Sequence, residues 1–155
     1  MPTVYRLLRE KYKTDPLSVE GSRLFGGRWN PKGTGVLYTT SSPELGLIES
    51  LAHAPATPYQ ELPAYWVFAI DVPDDIRQVH RDELPDFWLD DTYERTQHWL
   101  AAWLLAPDSL GVAVPSVLVP LSYNIILHPA HPLFTEVQVT GAETQPINRR
   151  IWRNS

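Results

Sequence analysis

Prolines punctuate this chain so often that a bundle of long helices is not open to it. There are 15 in 155 residues, and each one fixes φ and removes an amide donor, which breaks a helix interior or a central strand. Six tryptophans add bulky apolar anchors. Together they favour a loop-rich α+β fold, read as a single mixed α/β domain over residues 1–155. A chain of this length buries a core without staples. It has no cysteine, which removes disulfides, thiolate zinc sites and cysteine nucleophiles at once.

Net charge is −5, unevenly spread. Residues 1–32 carry seven Lys/Arg against three acids, whereas residues 71–94 carry nine acids against two arginines. An acidic chain is a poor nonspecific duplex binder, because such binding depends on neutralising phosphates. The basic N-terminal part can still hold a small anion. The N-terminus, MPTVYRLLREKYK, alternates charged and apolar residues too closely for a signal peptide, and no apolar run reaches the length of a membrane span. The expectation is a soluble, cytoplasmic protein.

The pattern predicts strands at Val4 to Leu8, Val36 to Thr40, Tyr65 to Asp71, Val112 to Val119 and Thr135 to Val139. It predicts a helix from Pro43 to His53, capped by Ser41 or Ser42, with Ser41 and Glu44 at capping-box spacing. A second helix is expected from Thr92 to Ala106, with Leu100, Trp103 and Leu104 facing inward. Residues 74–91 are acidic and broken by proline, so an exposed connection with little regular structure is expected there. Strands and helices do not alternate regularly, which argues against a doubly wound parallel sheet.

Candidate chemistry gathers around FGGRWNPKGTGVLYTT, residues 25–40. Neither a Walker A loop nor a dinucleotide fingerprint fits it, since Lys32 precedes Gly33 and no strand–GxGxxG–helix order can be read. Arg28 follows two glycines, so backbone there can approach a ligand, and its planar fork matches phosphate or carboxylate. Arg6 can point to the same side. Tyr38 offers a ring face for a flat heterocycle, or it fills the core. On the first long helix, about 100° per residue puts Leu45, Ile48 and Ala52 on one inward stripe with Glu49 at its rim. A carboxylate there must reach water or find partners. His53 stands four residues on, at pairing distance from Glu49. No histidine pair has HExxH spacing, so no metal site is expected, and His128 and His131, each before a proline, read as structural.

Two stretches, GGRWNPKGTGVLYTTSSPELGLIESLAH and PSVLVPLSYNIILHPAHPLF, resemble the RES domain family, named for an arginine, a glutamate and a serine. The resemblance runs over nearly the whole chain. It departs at His128-Pro129-Ala130-His131-Pro132, where the family pattern has Asn-Pro-x-His-Pro. It implies a fold similar to ADP-ribosyltransferases, with short strands around an NAD cleft. It further implies a toxin of a bacterial toxin–antitoxin pair that depletes cellular NAD, as substrate and not as cofactor. The implied partner is an Xre-type antitoxin with a helix-turn-helix domain, and a homodimer is a further candidate assembly.

The resemblance carries the family's named positions onto Arg28, Glu49 and Ser116, with Arg6, Tyr38 and Asn124 as pocket neighbours. Arg28 and Arg6 would grip phosphate or carboxamide while Tyr38 stacks on nicotinamide. Glu49 would steady the positive charge that grows on the ribose as its bond to nicotinamide breaks. Ser116 would hydrogen-bond the carboxamide or the ribose. No base stands beside it in sequence, so it is not expected to be a nucleophile. The acceptor of the ADP-ribose unit, whether water, phosphate or a protein side chain, stays open, and a non-catalytic nucleotide-binding module is the remaining alternative.

Overall fold

The computed structural model describes residues 1–153 of the chain, so the last two residues of the expected domain lie outside it. In chain order the strands are β1 (Thr3–Arg9), β2 (Leu37–Thr40), β3 (Tyr65–Asp71), β4 (Ile76–Gln78), β5 (Gly111–Pro115), β6 (Tyr123–Leu127) and β7 (Gln138–Gln145). They form one seven-stranded sheet of order β4-β5-β6-β2-β1-β3-β7. Only the β4–β5 pair is parallel; every other neighbouring pair is antiparallel. The α-helices are α1 (Glu20–Phe25), α2 (Pro43–His53), α3 (Glu94–Trp99) and α4 (Ala101–Leu105). This is a single mixed α/β domain.

Alternating side chains of the central strands feed two cores, one on each face of the sheet. Val112, Val114 and Ile126 pack with Trp29, Trp88, Leu100 and Trp103. Ala113, Ile125 and Leu127 pack with Val4, Leu37, Phe68 and Ile70. Burial on both faces explains why β5 and the end of β6 read as unbroken apolar runs.

Several expectations need correction. The SYNIILHPAHP segment, where no strand is among those expected, contains β6, which lies between β5 and β2. The strand expected at Thr135 to Val139 is a 3₁₀ turn over Pro132–Glu136 followed by β7, an edge strand whose largely exposed polar residues give no apolar alternation. The β5 run ends at Pro115 instead of Val119, because the Ser116 hydroxyl takes the amides of Leu118 and Val119 and folds the chain over. Residues 74–91 are not merely an exposed connection: they supply β4 and bury Val79, Leu84 and Trp88. The helix expected over Thr92 to Ala106 is two, α3 and α4, separated at Leu100, though Leu100, Trp103 and Leu104 do face inward.

Helix α2 has the expected limits, and its cap is Ser42, whose Oγ accepts from the Leu45 amide at 3.2 Å. Ser41 is used elsewhere, accepting from the Tyr123 amide. The expected inward stripe holds only at Leu45 and fails at Ile48 and Ala52, which are exposed. Ile48 is 45 % exposed, and beside Leu45 the helix buries Gly46. Gly46 lies close to Thr40 and Leu7, so the small residue turns this face onto β1 and β2. Glu49, three residues after Gly46, then falls at the edge of the buried face, above the sheet.

Candidate functional site

A cleft of about 810 Å³ opens between β1, β2, α2 and the loop after α1. Arg6, Arg28, Tyr38, Glu49, His53 and Asn124 all line it. That volume lies within the roughly 300–1,000 Å³ usual for small-molecule sites.

The loop is built from backbone outward. Gly26 ends α1 with φ of 69°, a conformation that L side chains rarely adopt. Gly27 lies so close to Tyr38 that a Cβ there would meet the phenolic oxygen at 2.9 Å. That closeness has a use: the Trp29 amide donates to Tyr38 Oη at 3.2 Å, and Tyr38 donates to Asn30 Oδ1 at 2.6 Å. Asn30 is fully buried and its Nδ2 donates to the carbonyls of Ser22 and Thr34 at 2.9 and 2.8 Å. One asparagine therefore sews α1, the loop and β2 together. Burial holds the Tyr38 phenol well above its ordinary pKa, and the hydrogen bond from Trp29 offsets only part of that.

Arg28 Nη1 donates to the carbonyls of Trp88 and Asp90 at 2.9 and 2.7 Å, and its guanidinium carbon lies 4.7 Å from the Tyr93 ring centre. Its Nε and Nη2 have no hydrogen-bond partner among the described residues. Arg6 comes from β1 and donates to the Ser18 carbonyl at 3.2 Å. Burial pushes its guanidinium pKa down to about 10, and Asp15 offsets only part of that. Arginine keeps its proton at neutral pH, so the cleft wall carries a poorly solvated cation.

In the same cleft as these cations, Glu49 Oε1 accepts from Ser116 Oγ at 2.7 Å and from Asn124 Nδ2 at 3.3 Å. Ser116 has no exposed surface and stands behind Glu49, off the cleft wall. His53 does not meet the Glu49 carboxylate: its Nδ1 donates to the Glu49 carbonyl at 2.7 Å. That fixes Nε2 as the acceptor nitrogen of the neutral ring. His128 and His131 stay outside the cleft. His128 is buried, donating through Nε2 to the Leu104 carbonyl at 2.8 Å, while His131 accepts from the Leu133 amide and faces Asp75 at 3.4 Å.

Residues 3–150 match the RES domain family. The chain belongs to that family. Among RES relatives it is 31 % identical to "Toxin Res" of Yersinia enterocolitica over 147 residues, covering 94 % of this chain and 93 % of that one. It is 32 % identical over 128 residues to the "Prs ADP-ribosylating toxin" of a Sphingobium strain, covering 78 % of this chain and 77 % of that one. The RES fold has a solved likeness in the M. tuberculosis MbcT–MbcA toxin–antitoxin complex. The TM-score there is 0.72 at 24 % identity, over 97 % of this chain and 86 % of that one.

The RES fold brings five of the six sequence-derived positions onto one cleft and puts the sixth, Ser116, in contact with one of them. Reading the sequence did not find Asn30 or Tyr93. Asn30 had a signal, since an amide inside a Gly- and Pro-rich turn commonly satisfies backbone groups. Tyr93 had none, because its meeting with Arg28 spans a long stretch of chain.

Proposed function

We propose that this RES-family toxin consumes NAD by breaking the bond between nicotinamide and ribose in the cleft. The observation that carries the reading is Glu49: a carboxylate on the cleft wall, oriented by Ser116 and Asn124, in a cleft that two arginines also line. When the C–N bond breaks, its electron pair goes to the pyridinium nitrogen, and nicotinamide leaves neutral. Positive charge builds on the ribose, and a fixed carboxylate beside it lowers that barrier. No strong general acid is needed, because the leaving group takes no proton. Arg6 and Arg28 meet the pyrophosphate or the carboxamide, and Tyr38 stacks on the nicotinamide.

The acceptor is water or inorganic phosphate, whose oxygen bonds to the ribose carbon and whose proton passes to solvent. The relative named for ADP-ribosylation favours a second reading, transfer to a protein side chain. Incubating the pure protein with NAD separates them. Water gives nicotinamide with ADP-ribose, phosphate gives nicotinamide with ADP-ribose-1″-phosphate, and transfer gives a modified protein band. Intact NAD after long incubation would refute both.

An enzyme that destroys NAD in the cytoplasm must be restrained, and a cognate Xre-type helix-turn-helix antitoxin is the proposed partner. The toxin–antitoxin complex of the structural neighbour supports this. Light scattering of the chain with and without the neighbouring gene product tests it, and tests for a homodimer too.

A further inference from the structure

Helix α3 lies outside the loop and strands that carry the expected site, yet it grips the site's backbone. The Thr96 hydroxyl donates to the Arg28 carbonyl and, 3.0 Å away, faces the Tyr93 carbonyl. A hydroxyl has one proton, so the two carbonyls share it. The same oxygen thus joins the backbones of the two residues whose side chains stack, Arg28 and Tyr93. One residue on, Gln97 Nε2 donates to the Gly27 carbonyl at 2.8 Å. Thr96 has no exposed surface. Valine would fill the same space, so packing alone does not call for the hydroxyl.

We propose that Thr96, seconded by Gln97, is a positioning residue for Arg28. Arg28 is a long side chain with considerable rotamer freedom, and a ligand that ordered it from scratch would bind more weakly. Its carbonyl is held by Thr96, its Nη1 by the carbonyls of Trp88 and Asp90, and its guanidinium carbon lies over the Tyr93 ring. The guanidinium therefore meets an anion already ordered, with Nε and Nη2 unused by the described residues. Thr96 acts through Arg28 and touches no substrate.

The kinetic arm of the test rests on the NAD reading; the spectroscopic arm does not. In ligand-free, isotope-labelled protein the Arg28 Nη1–H resonance, from the nitrogen bonded to the Trp88 and Asp90 carbonyls and assigned by its loss in Arg28→Lys, should be well dispersed and slow to exchange. Thr96→Ser should keep it, and Thr96→Val should move it to the position of an exposed arginine. The Michaelis constant for NAD should rise roughly fivefold to tenfold in Thr96→Val, with a smaller change in turnover. In an Arg28→Ala background the same change should matter less than about twofold. If Thr96→Val does not fold, Gln97→Leu provides the same readouts at a partly buried position. An unmoved Arg28 resonance in the folded variant overturns the proposal. If wild type releases no nicotinamide, the NAD reading fails alone, and the resonance still decides the positioning role.

Discussion

The Ser116 hydroxyl donates to the Glu49 carboxylate at 2.7 Å while accepting from the amides of Leu118 and Val119 at 3.1 and 3.2 Å. Its one proton and both lone pairs are in use. No lone pair is left to attack an electrophile, and no donor is left for a substrate. In this geometry the Ser116 hydroxyl is spent on the Glu49 carboxylate and on closing a turn.

Ser116→Ala should show both jobs. Two backbone amides lose their acceptor, so stability should fall by about 1–3 kcal/mol. Glu49 also loses its shortest bond, and turnover should fall roughly tenfold, less than for loss of the carboxylate charge itself. Chemical denaturation paired with initial-rate kinetics reads the two effects separately. Unchanged turnover in a destabilised protein would leave Ser116 only the turn.

Arg6→Met bears on the cost of holding a cation in the cleft. The guanidinium is poorly solvated and has one weak carbonyl partner, so its removal should hold or raise the melting temperature of the free protein. The Michaelis constant for NAD should rise roughly tenfold or more, since a charge-assisted contact is lost. Thermal melts with and without NAD check this: wild type gains more from the ligand than the variant does. A variant that loses stability without losing affinity assigns Arg6 to the fold.

Tyr38 gives a pH signature whose sign follows from its raised pKa. In the unfolded chain the phenol ionises near pH 10, as ordinary tyrosines do, whereas burial keeps it protonated in the fold. Above about pH 10 the folded state therefore binds more protons, and stability from this group is lost as pH rises. Arg6, with its lowered pKa, works in the opposite direction on the same limb, so the comparison is with Tyr38→Phe and not with a flat line. At neutral pH the variant should be less stable by about 1–3 kcal/mol, because Asn30 and the Trp29 amide lose their shared partner. Between pH 9 and 11 that gap should narrow. Melts across this range measure it, and a constant gap contradicts the assignment.

The parts of the fold that were legible in the sequence are those whose signals are local. Helix α2 starts at Ser42-Pro43 and β3 is a compact apolar run before Pro73, so both were found with their limits. Strand β6 was lost because the prolines after it masked an Ile-Ile-Leu core run, and β7 because an edge strand needs no apolar face. The α2 face was misjudged because Gly46 has no side chain to count as apolar, yet it is what lets the helix approach the sheet. The site was legible as a set of residue types through family resemblance, while its wiring was not. Glu49 meets residues 67 and 75 positions away, and Thr96 meets Arg28 across 68, distances over which no periodicity carries information.

Glu49→Gln tests the central claim most directly. The change keeps the size and much of the hydrogen bonding to Ser116 and Asn124, and removes only the negative charge. The measurement is the single-turnover rate of nicotinamide release, alongside NAD affinity by calorimetry and a thermal melt. If the carboxylate steadies charge on the ribose, the rate should fall about 10²–10³-fold while NAD still binds and the protein still melts cooperatively. Release of nicotinamide at close to the wild-type rate by a folded Glu49→Gln protein would contradict the claim.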